Sequence, residues 1–94
     1  MKQKKYANVW DALSKSPTEA ANMKARSALM VAIENVVVSW KTTQADAAKR
    51  LGLTQPRLND LLRGRITKFS LDALMAVAER AGLTVRVTVV RKAA

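Results

Sequence analysis

Residues 44–64 read QADAAKRLGLTQPRLNDLLRG, and their spacing decides the fold. Gln44–Leu51 is short and rich in alanine (Ala45, Ala47, Ala48), so another helix can approach it closely. Gly52 allows the positive backbone angle that a tight turn requires. Thr54 is placed to cap a second short helix, with Pro56 in its first turn. Ala48 falls where the two helices cross. Ala47, Leu51, Leu53, Leu58 and Leu61 form the apolar set that fixes their angle. This pattern predicts a helix-turn-helix, against the plainer reading of a helical hairpin in a bundle.

Outward from this window the chain reads as helices. Residues 1–15 form a basic arm with Tyr6, Val9, Trp10 and Leu13 as apolar anchors. Ser16 is an N-cap, Pro17 takes the first helical position and Glu19 stands three residues after the cap. The helix that follows shows Ala25, Leu29, Ala32, Ile33, Val36, Val37 and Trp40 as a core-facing stripe. Met23, Met30, Val31 and Val38 form a second, weaker strip that needs another neighbour. Beyond the window, Arg65–Phe69 is a basic loop. Ser70 caps a last helix with Leu71, Leu74, Met75, Val77 and Ala78 as its apolar positions, and Gly82 ends it.

From Leu83 the period changes to two. Val85, Val87 and Val89 alternate with Arg86 and Thr88, which predicts a strand. One strand cannot satisfy its own ladder groups. Pairing with a second copy across a two-fold axis is the simplest remedy, so a homodimer is expected, with a frayed tail as the alternative. The expected organisation is an arm over 1–15, a helical domain over 16–82 and a dimerisation strand and tail over 83–94. The fold class is all-α: four or five helices with one C-terminal strand.

Composition narrows the function. The chain has 94 residues, 49% apolar, and carries a net charge of +10 from 17 basic and 7 acidic side chains. So large a charge on one small domain points to a polyanion, nucleic acid or a membrane surface. Cysteine and histidine are absent, which excludes disulfides, thiolate catalysis, zinc fingers and histidine acid–base chemistry. The carboxylates are scattered and there is no Gly-rich phosphate cradle, so no enzyme and no cofactor or metal is expected. The longest apolar run, Ala28–Ile33, is far short of the roughly 20 residues that a membrane span needs. With no secretory core after the basic start, a cytoplasmic protein is expected.

Charge and motif coincide. Residues 41–68 hold seven basic residues (Lys41, Lys49, Arg50, Arg57, Arg63, Arg65, Lys68) against two acids (Asp46, Asp60), a net +5. The recognition helix is expected over Gln55–Arg63. Gln55, Arg57 and Asn59 are its candidate base readers, because Gln and Asn can bond adenine and Arg can bond guanine, each bidentately. Pro56 is a candidate contact to a thymine methyl. Asp60 is expected on the exposed side. Arg63, Arg65 and Lys68, in the loop that follows, are candidate phosphate contacts together with Thr43. Such contacts make binding fall steeply with salt. The four aromatics form no base-stacking platform, which disfavours single-stranded RNA.

Residues 44–64 resemble the XRE-type helix-turn-helix of phage repressors. With Asn8–Leu13, Glu19–Arg26, Lys68–Leu74 and the valine-rich end, the chain resembles the HigA-like antitoxins of type II toxin–antitoxin operons. The resemblance implies a dimer that binds a near-palindromic operator and represses its own operon. Its two recognition helices would sit roughly 34 Å apart, one turn of duplex. It makes Gln44 a backbone clamp, and implies a co-encoded toxin. Trp10, Met23, Met30 and Val31 are the candidate toxin-binding surface. The alternatives are a stand-alone XRE-type repressor, a toxin-neutralising interaction module with secondary DNA binding, and a charge-driven polyanion binder.

Overall fold

The computed structural model describes residues 16–92. The arm over 1–15, with Tyr6, Val9, Trp10 and Leu13, lies outside the described residues, as do the last two residues of the tail. Among the described residues four helices follow one another: α1 (Pro17–Trp40), α2 (Gln44–Leu51), α3 (Gln55–Leu62) and α4 (Leu71–Arg80). A single 3₁₀ turn, Ile66–Lys68, lies between α3 and α4. Helix α1 packs mainly on α4 and also touches α3 and the 3₁₀ turn, while α2 packs on α3 and α4.

Each α-helix starts on a hydroxyl cap. Ser16, Thr43, Thr54 and Ser70 accept from the amides of Glu19, Asp46, Arg57 and Ala73 at 3.1, 3.1, 3.3 and 3.1 Å. Each cap satisfies an amide that helix geometry leaves orphaned and contributes about 1 kcal/mol. The core is the meeting place of Ile33 with Ala47, Ala48, Leu51, Leu58, Leu61, Phe69, Leu74, Val77 and Ala78, all buried. Burying one of these leucines contributes roughly 1.5–3 kcal/mol, so the central four hold the elbow in place.

Helix α1 keeps most of its expected stripe, with Ile33 buried and Leu29, Val36, Val37 and Trp40 packed against the core. Its buried residues are Met30 and Ile33, while Ala25 and Ala28 are exposed. Apolar residues surround this helix on most sides, and Arg26 also reaches inward, to the chain around the 3₁₀ turn. Met30, placed on an outer strip from sequence, is 5% exposed and belongs to the core. Met75, one of the apolar positions read on the last helix, is exposed.

Among the described residues there is no strand. After Gly82 the chain runs as irregular structure, with Leu83 and Val85 packed against the core and Val87, Val89 and Val90 exposed. From Thr84 to Lys92 no backbone hydrogen bond forms among the described residues. The alternation predicted a strand, but a strand is a paired object, and a single chain offers this segment no partner.

Candidate nucleic-acid interface

The elbow between α2 and α3 is built from two backbone bonds and one glycine. Leu53 N donates to Ala48 O at 2.8 Å and Gly52 N to Lys49 O at 3.2 Å, which closes the carbonyl end of α2. Gly52 has φ +67°. Arg80 of α4 lies across it and donates from Nη1 to Leu51 O at 3.3 Å. A Cβ on Gly52 would collide with that guanidinium. Glycine is therefore required twice, by its angle and by the arginine that ties α4 to the turn.

Helix α3 is held from behind by Leu58 and Leu61, at 0% and 2% exposure. Its polar side chains consequently project from the other side. Gln55 and Pro56 are exposed in its first turn and Asn59 is half-buried. Helix α3 has no acidic residue in its first turn, so the positive end of its dipole is left uncompensated there. Thr43 and Gln44 are exposed at the start of α2, where Thr43 serves as the cap. Arg63 and Lys68 are exposed and make no ion pair among the described residues.

Asp60 sits differently from the exposed position expected of it, and Arg57 and Arg50 are both held by neighbouring groups. Asp60 is largely covered, its side chain 18% exposed, and pairs with Arg65 at 3.2 Å. Covering the acid and neutralising it on Arg65 lowers the repulsion a phosphate would meet. Arg57 is half-buried. Its Cζ lies 4.1 Å from the centroid of the Phe69 ring and its Nη1 donates to Lys68 O at 2.8 Å. Arg50 stands over Trp40 at 5.0 Å and pairs with Asp46 at 3.3 Å, while Thr42 Oγ1 donates to the same carboxylate at 2.8 Å.

Sequence reading missed Arg26. From α1 its Nη1 donates to Ile66 O at 3.0 Å and to Phe69 O at 2.9 Å. The available signal was a cation in phase with Met30, Ile33 and Val37, at spacings of four, three and four. Phe69 was likewise read as part of a loop, yet it is 2% exposed and carries Arg57.

Of the candidate toxin-binding residues, Val31 is 39% exposed, Met23 is half-buried, Met30 is in the core and Trp10 lies outside the described residues. Among the described residues no cluster of acidic side chains is arranged to hold a metal. No helix among them is long and apolar enough to cross a membrane.

No curated protein matches this chain. A family model described as a helix-turn-helix domain matches residues 13–90, which takes in α1, the elbow, α4 and most of the tail. Two short capped helices at a glycine elbow, with a polar first turn facing out and basic side chains beside it, have the form of a DNA-binding unit, and the chain belongs to this helix-turn-helix domain family.

Proposed function

We propose that this chain is a sequence-specific regulator that binds double-stranded DNA as a homodimer, represses its own operon and serves as the antitoxin of a toxin–antitoxin pair. One observation carries the DNA part: the first turn of α3 is polar and exposed while Leu58 and Leu61 anchor its back. That turn enters a major groove, where Gln55 and Asn59 meet base edges. Thr43 and Gln44 at the head of α2, with Arg63, Arg65 and Lys68 behind α3, take the phosphates. The protein performs no catalysis and works in the cytoplasm on nucleoid DNA.

The dimer reading is supported by the tail. Val87 and Val89 are 76% and 86% exposed, and the backbone around them finds no partner among the described residues. Beside them an open groove of about 540 Å³ runs between α1, α4 and the tail, lined by Leu29, Ala32, Met75, Leu83, Val85 and Val87. A second copy of residues 83–90, paired antiparallel, completes the ladder and covers these valines. The antitoxin role is supported by the sequence resemblance and by the exposed Val31 and Val38 on α1.

The test is selection of binding sites from a random duplex pool by the full chain, followed by titration at two salt concentrations with competitor DNA. A near-palindromic site whose half-sites lie about one helical turn apart is expected. Equal binding of all duplexes would reduce the protein to a charge-driven binder. Co-expression with the adjacent reading frame tests the toxin: a stable complex is expected, and growth unaffected by that frame alone would refute it.

A further inference from the structure

The loop behind α3 has its carbonyls tied inward and its cations facing outward. Ile66 O and Phe69 O accept from Arg26 on α1, and Lys68 O accepts from Arg57 on α3. Phe69 is buried under the Arg57 guanidinium. The side chains of Arg63, Arg65 and Lys68 are meanwhile exposed. Arg26 Nε is buried without a hydrogen-bond partner, so this side chain gives up one bond to place Nη1 between two carbonyls.

We propose that Arg26 and Arg57 are positioning residues, a clamp from two helices that presets residues 65–69 as the phosphate-facing edge of the interface, and that Arg57 does not read a base. The proposal rests on the DNA-binding reading above. To read guanine, an arginine presents a free planar fork to N7 and O6. The fork of Arg57 already has one face on Phe69 and one Nη on Lys68 O. Extending it into a groove would uncover the ring and take that donor from the carbonyl. The clamp also has an electrostatic consequence. Carbonyl oxygens are negative dipole ends, and binding them to half-buried guanidiniums keeps them off the face that Lys68 and Arg65 offer to phosphate. Base reading by α3 then falls to Gln55 and Asn59.

The experiment compares the full chain with R57A, R57K, R26Q and F69L, each at a temperature where circular dichroism shows it folded. The first readout is trypsin cleavage after Arg65 and Lys68, followed by mass spectrometry. Cleavage is expected to rise about tenfold in R57A, R26Q and F69L, because it reports the population of the opened loop. The milder R57K, which keeps the charge but lacks the flat face, is expected to rise about threefold. The second readout is duplex selection and its salt dependence. R57A is expected to select the same bases as the unaltered chain and to bind every duplex about five- to tenfold more weakly. Its plot of log affinity against log salt should be shallower by about one. Loss of preference at a single base position in R57A, with unchanged cleavage, would overturn the proposal and make Arg57 a reader. Absence of duplex binding by the unaltered chain overturns the DNA reading and the phosphate role with it; cleavage then decides the clamp alone.

Discussion

Helices α2 and α4 stop in the same way and hand the chain to opposite fates. In both, an amide five residues on returns to the helix, Leu53 N to Ala48 O at 2.8 Å and Leu83 N to Ala78 O at 3.0 Å. After the first stop, Thr54 caps a new helix, accepting from Arg57 N at 3.3 Å. After the second stop come alternating valines, and no backbone bond forms from Thr84 to Lys92 among the described residues. A helix completes itself within a dozen residues, whereas a strand is completed only by another strand. The elbow is therefore finished in one chain, whereas on the proposed dimer the tail is finished only by a second copy.

The largest effect is expected at the unfinished region. Removing residues 83–94 should turn dimers into monomers in sedimentation and cost about 100-fold or more in affinity for a two-half-site duplex, the avidity of joined recognition helices. The deletion also strips Leu83 and Val85 from the core, so V87D with V89D gives a gentler version confined to exposed positions. A truncated chain that still sediments as a dimer would break the contrast, because the tail would then not be the segment awaiting a partner.

The finished region should answer to a single methyl group. G52A places a side chain at φ +67° and drives Arg80 from Leu51 O, and about 2–3 kcal/mol of stability should be lost. In an R80A background only the backbone strain is left, about 1 kcal/mol. G64A has a similar angle, φ +71°, and open space around it, so about 1 kcal/mol is expected there as well. Thermal melts of these variants measure the coupling between Gly52 and Arg80. Equal costs for G52A in both backgrounds would show that Arg80 moves aside freely and that the elbow does not depend on α4.

On the surface proposed to read bases, N59A and Q55A should each cost about 1–3 kcal/mol on the selected duplex and relax preference at one base position, with little change in the melt. Uniform loss on all duplexes would place the altered residue on phosphate.

What was legible in the sequence follows the same divide. The caps Ser16, Thr54 and Ser70, the stop at Gly52 and the buried Ala48, Leu58 and Leu61 were readable because each is a local rule about three to five residues. The tail carries an alternating pattern but forms no strand among the described residues, and the pairing proposed for it needs a second chain. The stripe of α1 was legible in Leu29, Ile33, Val36, Val37 and Trp40, but valines and methionines occupy most of the circumference, and only tertiary contact shows that Met30 is buried and Ala25 exposed. The long-range ties, Arg26 to the loop, Arg57 to Phe69 and Arg80 to Leu51, were missed for a related reason. An arginine on a helix reads as solvated charge until the carbonyl it reaches, 11 to 43 residues away, is known.

The smallest effect sharpens the contrast by having two signs. Asp46 accepts from Thr42 and pairs with Arg50, and both charged side chains are about half exposed (47% and 50%). A pair so open to water and salt contributes little, so D46N should lower stability by no more than about 0.5 kcal/mol. The same change removes one of two acids from the basic stretch 41–68 and releases Arg50 from its carboxylate partner beside the α2 cap. Affinity for duplex DNA should then rise by about two- to threefold at low salt and return to the unaltered value as the Debye length shrinks. Melting and titration of this one variant therefore move in opposite directions. Parallel losses in both would mean that Asp46 holds the head of α2 in place, and that the elbow depends on this surface contact as well as on its buried leucines.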